Sequence, residues 1–372
     1  MEGGRNYDSL PGDITLRIFS LLPLYLVLRL RLVCKAWYAL ITEFAVEYLK
    51  RSKETSLGIL CCNSRCISSG VFSLYISSLQ IRGGIKTLMT KTLSISPRFT
   101  FNGSINGLIC LDEAKNNIHV FNPTTGEFVT LPPCHFSSYI IGFGYYYITG
   151  FGYCPLTKQY KVVKIFQDFF KFATPVKAAV ITVGAPSNSW RIIESSPLYK
   201  FTFTCDGGAI YLNGTLFWLS YTEEIMPAIT AFDVSDETFR IIRLPSKVFS
   251  CNQNRLAKQE GRLCLVKFDR EKEYFEIYIM LEDFQWISQC RVSMKDFEPH
   301  CANHYFSGYV FLCLKKGKIT LWSTWMKRLI FYDIKSRAIE TIQVGDANEE
   351  MIASPELLTC PYEESLTPIC SY

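Results

Sequence analysis

The sequence predicts a mainly β protein in two parts: three small helices within residues 1–50, then a β-propeller-like domain of about six blades over residues 54–372. Three observations predict it. Helical spacing of apolar residues is confined to the segment from Leu10 to Tyr48. Beyond Lys53 the apolar residues alternate with a period of two. One strand, turn, strand pattern then recurs along the rest of the chain.

In the first segment Ile14, Ile18, Leu21 and Leu22 recur at spacings of three and four and share a helix face. Pro11 suits a first helical turn, where its missing N–H costs nothing, and Asp13 suits the positive end of the helix dipole. Pro23 ends that helix. A short second segment spans Leu26 to Arg31, without a serine or threonine cap, and Val33, Trp37, Leu40, Ile41 and Phe44 mark a third amphipathic stretch. Fifty residues bury little surface on their own, and these stripes are wider than three short helices need for each other. A partner is expected to cover the remainder.

Beyond that segment, Tyr160 to Ile165 and Phe275 to Ile279 are strand patterns bounded by turn residues. Two stretches align as strand, polar turn, strand, Leu-Pro: Phe121 to Pro132 and Phe232 to Pro245. Fainter copies run through Trp190, Trp286 and Phe331, and the four steps from Phe121 to Phe331 average about 52 residues, near the ~50 of kelch-type blades. Blades bury their faces only against neighbours, so a closed ring follows, with Leu357 to Ile369 as the expected closing strand beside residues 56–97.

Composition narrows the functions. The formal net charge is +5, and from Gly345 to Tyr372 six acids stand with no Lys or Arg. Basic residues are scattered rather than gathered on a face, so nucleic-acid binding is not expected. The uncharged stretch from Cys134 to Thr157 mixes glycines, Pro155 and tyrosines, a composition for strands and turns rather than a membrane helix. Fifteen cysteines, an odd number at irregular spacing, with no signal-peptide pattern in residues 1–20, point to a reducing compartment, cytoplasmic or nuclear.

Few residues stand in patterns that carry chemistry. His300, Cys301 and His304 offer three close metal ligands, and Cys61, Cys62 and Cys66 form no paired cluster, so no metal and no cofactor are expected. The glycine pairs 142/144 and 150/152 lack the third glycine of a dinucleotide site and read as strand-turn glycines. The acid pairs Asp112-Glu113, Glu223-Glu224 and Glu282-Asp283 read as turn residues, and they alone keep an enzyme reading open, because propeller enzymes place carboxylates in the channel.

Two resemblances join these observations. Leu10-Pro11-x-Asp13-Ile14-x3-Ile18, Leu22-Pro23 and Arg29-x-Arg31-x-Val33-Cys34-Lys35-x-Trp37-x2-Leu40-Ile41 resemble the F-box. The segments from Asn106 to Leu111, Phe121 to Thr125, Gly150 to Tyr153, Asn213 to Trp218 and Tyr362 to Leu366 resemble the F-box-associated domain of land plants. The resemblance implies that Leu10, Pro11, Ile14, Ile18, Leu22, Pro23, Leu28, Val33 and Trp37 dock on a Skp-type adaptor, and through it on cullin and RING subunits. The β domain then holds a protein target, at inter-strand loops around Ser196 to Thr204 and Tyr221 to Pro227, and the chain needs no catalytic residue. The alternatives are a propeller module that delivers no substrate for degradation and a propeller hydrolase or lyase.

Overall fold

A computed structural model describes residues 11–20, 24–41, 44, 58–68, 71–80, 84–93, 99–113, 117–134, 145–168, 177–185, 187, 189–193, 202–203, 208–221, 227–244, 254–269, 272–282, 284–293, 295–297, 309–315, 317–323, 328–343, 358–362, 365 and 367–369. Those of them between 58 and 99 are described by their backbone alone.

The N-terminal helices are α1 (Gly12–Ser20), α2 (Leu24–Arg29) with a 3-10 turn over Leu30–Leu32, and a helical stretch over residues 35–41. Pro11 stands just before α1, its carbonyl accepting the N–H groups of Ile14 (3.0 Å) and Thr15 (3.1 Å). At the third helix Cys34 takes the capping position: its sulfur accepts the Trp37 N–H at 3.4 Å, the place a serine or threonine oxygen fills elsewhere.

The β domain is a ring of antiparallel sheets. Five are built from strands consecutive in sequence. The first holds β4 (Phe99–Ile105), β5 (Leu108–Glu113), β6 (Ile118–Phe121) and β7 (Phe128–Leu131). The second holds β8 (Tyr145–Cys154), β9 (Gln159–Asp168), β10 (Lys177–Thr182) and β11 (Arg191–Ile193). The third holds β12 (Thr202–Phe203), β13 (Ile210–Leu212), β14 (Thr215–Tyr221), β15 (Pro227–Asp233) and β16 (Phe239–Arg243). The fourth holds β17 (Asn254–Gln259), β18 (Arg262–Asp269), β19 (Tyr274–Met280) and β20 (Trp286–Ser293). The fifth holds β21 (Tyr309–Lys315), β22 (Lys318–Ser323), β23 (Arg328–Asp333) and β24 (Ile339–Gln343).

The expectation of about six like units needs correcting here: the repeat yields five complete blades. The remaining sheet is composite, because β1 (Gly58–Ser68), β2 (Val71–Gln80) and β3 (Gly84–Leu93) supply three strands and β25 (Leu358–Tyr362) supplies the fourth. β25 pairs antiparallel with β1, Gly58 opposite Tyr362 and Cys62 opposite Leu358, as closure of the ring requires. The inner strands touch in a closed circuit, from β25 to β4, β8, β13, β17, β21 and back to β25. These strands, edges of their own sheets, face one another around the ring rather than outward, which keeps their edges from another chain.

Cores form between neighbouring blades. Trp218, Phe232, Val163 and Ile165 pack between the second and third blades, and Phe268, Phe275, Ile319 and Tyr332 between the fourth and fifth. Gly150 and Gly152 correct another expectation, since they lie inside β8 rather than at a turn. A Cβ on Gly150 would stand 2.4 Å from the Trp218 ring, and one on Gly152 2.7 Å from Val234. They are glycines so that two blades can approach.

Candidate functional site

The small helical core consists of Phe19, Val27 and Ile41, all buried, with Leu16, Leu28, Leu30, Trp37 and Phe44 packed around it. Phe19 meets Trp37 edge-to-face at 5.3 Å between ring centroids. On α1, Thr15 and Phe19 face this core, while Ile14 and Ile18, one residue back along the helix, point outward at 49% and 44% exposure. The turn after α2 adds Leu32 at 91% and Val33 at 61%, and Tyr38 follows at 57%. The core is thus satisfied by other residues, while Ile14, Ile18, Leu32, Val33 and Tyr38 leave apolar side chains open to solvent.

The residues expected to bind the adaptor divide accordingly. Pro11, Ile14, Ile18 and Val33 are exposed, whereas Leu28 and Trp37 turn toward the core and support the face from behind. Leu10, Leu22 and Pro23 lie outside the described residues. Leu32 and Tyr38 are exposed as well, though the helical spacing does not single them out. Leu32 adjoins Val33 in a turn where helical spacing does not hold, and Tyr38 sits one residue off the Trp37 stripe, beneath the Arg31 guanidinium at 5.6 Å.

In an antiparallel meander the hairpin turns within a blade alternate between two rims. The β4–β5, β6–β7, β8–β9, β13–β14, β15–β16 and β23–β24 turns share one rim. There the repeated motif is a side-chain-capped turn. Asn122 Oδ1 accepts the Thr124 N–H at 2.9 Å, Asp233 Oδ1 accepts Ser235 and Asp236 at 2.8 and 3.0 Å, and Asp333 Oδ1 accepts Lys335 and Ser336 at 3.0 Å each. Short polar side chains bridge their own backbone two and three residues on. Asn122 does more, because its amide donates to the carbonyls of Ser365 (3.0 Å) and Thr367 (2.9 Å). Thr124 joins Tyr362 through their hydroxyls at 2.8 Å, Glu127 accepts the Ile369 N–H at 2.9 Å, and Ile369 is buried in the core of the first two blades. The C-terminal tail is therefore latched across the first blade.

Two loops, around Ser196 to Thr204 and Tyr221 to Pro227, are expected to hold a target. Of these, residues 202–203 form β12 against Ser220 and Tyr221, and most of the rest lie outside the described residues.

Of the acid pairs, Asp112-Glu113 alone lies wholly within the described residues. Asp112 and Glu113 are buried at the end of strand β5, not in a turn, and alternation sends them to opposite faces. Asp112 accepts the Thr149 hydroxyl at 2.7 Å and stands 3.6 Å from Lys164, whose ammonium lies 4.3 Å over the Tyr147 ring. Burial pushes the Asp112 carboxyl up and the Lys164 ammonium down, each opposed by the other's charge. Glu113 accepts from Asn117 at 3.0 Å and lies 3.6 Å from His119. Glu282 is an exposed turn residue, and Glu223, Glu224 and Asp283 lie outside the described residues, as do His300, Cys301 and His304. Among the described residues no group of three or more His, Cys, Asp or Glu is placed to hold a metal ion. No helix among them is long and apolar enough to cross a membrane.

Comparison with known families decides the matter of kinship. The pattern of the F-box associated beta propeller domain matches residues 60–363, and the F-box-like pattern matches residues 7–45. The chain belongs to the F-box proteins with an F-box-associated propeller domain. Relatives of this F-box chain include the Arabidopsis thaliana F-box protein CPR1, 25% identical across 95% of this chain and 89% of that one. Another is the Arabidopsis F-box protein At3g07870, 27% identical across 71% of this chain and 67% of its own length. A chain of a nidogen/laminin complex superimposes with a TM-score of 0.42 at 11% identity, over 77% of this chain and 93% of that one.

Proposed function

We propose that this chain is the substrate-recognition subunit of an SCF-type cullin–RING ubiquitin ligase. Residues 1–50 dock on a Skp-type adaptor, and through it on cullin and RING subunits, while residues 54–372 capture the protein to be ubiquitinated. The exposed face of Ile14, Ile18, Leu32, Val33 and Tyr38, beside a core that does not need them, carries this reading. The chain supplies no catalytic group. Rate enhancement comes from proximity, since a captured target keeps its lysine near the charged enzyme. Work in the cytoplasm or nucleus fits that role.

The test is co-purification with a Skp-type adaptor. Burying one Leu or Ile side chain contributes about 1.5 to 3 kcal/mol, so Ile14→Lys with Val33→Lys should weaken adaptor binding by about a hundredfold or more. Both side chains are exposed, so the far-UV spectrum should hold. A folded double variant that binds the adaptor at wild-type strength sinks the ligase reading.

A further inference from the structure

A cavity of about 310 Å³ opens on the described rim, between the β4–β5 turn, the β8–β9 turn and the latched tail. Its size is at the low end of the ~300 to 1,000 Å³ typical of ligand pockets, suited to a short stretch of peptide. Tyr153 and Tyr160 stand together in its wall with ring centroids 4.9 Å apart, and Asn106 donates to the Tyr160 hydroxyl at 3.0 Å. Thr367 and Ile369 form another side, and they are held in place by the Asn122 and Glu127 contacts rather than lying loosely over the opening. Lys158 is the one charged residue among the described residues that line the cavity, and it is exposed. Among the described residues it makes no ion pair.

Paired tyrosine rings with an amide, a single cation and no acid among the described lining residues complement a segment with an apolar body and a negative charge. We infer that this cavity is a target subsite for a peptide carboxylate, with Tyr153 and Tyr160 taking the apolar body of the segment and Lys158 its charge. The inference rests on the target-capture reading above and names the chemistry it selects. The carboxylate comes from an Asp or Glu side chain or from a peptide's C-terminus.

The probes are short, randomised, fluorescein-labelled peptide pools, read by polarisation against the full chain co-expressed with a Skp-type adaptor, whether or not the adaptor is retained. Three amidated pools fix Glu, Gln or Lys at the centre, and a fourth fixes Gln and keeps a free C-terminus. A carboxylate pool should bind about fivefold better than the amidated Gln pool, the most that one exposed ion pair supplies. Preference for the Glu pool assigns the charge to a side chain, and preference for the free-ended pool assigns it to a terminus. Lys158→Glu should transfer the preference to the Lys pool, Lys158→Gln should remove it, and Tyr153→Ala should weaken every pool alike. Equal binding of all pools, or a carboxylate preference that survives Lys158→Glu, overturns the subsite. Adaptor co-purification is scored on the same samples: its loss with the peptide preference intact would count against the ligase reading and leave the subsite standing.

Discussion

At the scale of single residues, position in the ring decides between side chains that are nearly equivalent in isolation. Asn122 and Asp233 cap the same turn in two blades, yet only Asn122 also donates to the tail. A carboxylate there would face two carbonyl oxygens. Asn122→Asp should therefore destabilise by roughly 1 to 3 kcal/mol, the cost of leaving such groups unpaired, while Asp233→Asn should change the melting temperature little. Equal shifts would show that the latch contributes nothing. Gly150→Ala should cost about 1 to 3 kcal/mol through overpacking against Trp218, and Trp218→Phe in the same chain should recover part of the loss. Additive losses would mean the predicted overlap relaxes elsewhere. The buried Asp112 and Lys164 form a third pair. Lys164→Met alone strands a buried carboxylate and should cost about 3 to 5 kcal/mol, whereas adding Asp112→Asn, which still accepts from Thr149, should restore much of it. Chemical denaturation measures all of these.

At the scale of elements, one ion network ties the second blade to the third. Glu237, in the β15–β16 turn, accepts Lys161 at 2.7 Å on one oxygen and Arg191 on the other, and Lys161 also donates to the Val234 carbonyl at 2.8 Å. Burial pushes the Glu237 carboxyl up, but the hydrogen bonds from Arg191 and Lys161 and their charges outweigh it and hold the group below its ordinary range. Because the folded-state value is the depressed one, this contribution is present above the unfolded carboxylate's pKa and lost as pH falls through the folded one. The wild type should melt above Glu237→Gln near neutrality, and the gap should close on acidification. A gap independent of pH refutes the assignment. Among the helices, Leu28 packs inward rather than outward. Leu28→Lys should therefore reduce helical content as well as adaptor binding, unlike Ile14→Lys.

At the scale of the whole molecule, the ring is closed by chain that is remote in sequence. β25 completes the sheet of β1 to β3, and the tail beyond it reaches back to the first blade. Ending the chain at Asp346 removes both and exposes the edge of β1 from Gly58 to Cys62. Light scattering on such a truncation should show aggregation and calorimetry a lower melting temperature. A monomer with unchanged melting would mean that the ring holds without its closing strand.

Much of this was legible in the sequence because it is written in local periods. Helical spacing marked the first fifty residues, alternation marked the strands, and the Phe-Asn-Pro and Phe-Asp-Val turns marked the repeat, since each of these depends on the geometry of a few neighbouring residues. The pairing of a C-terminal strand with residues near Gly58 followed from the need to remove a sheet edge. What tertiary structure alone decided is which neighbour a side chain meets. Ile14 and Phe19 both belong to the apolar pattern of one helix, and only the packing of Val27 and Ile41 turns Phe19 inward and leaves Ile14 exposed. Asp112 and Glu113 read as a turn, since no local period announces that Lys164 and Thr149 on another blade will pair with the first of them. The glycines of β8 and the tail wall beside Lys158 are of the same kind. Their contacts are made between segments far apart in the chain, so no local period records them.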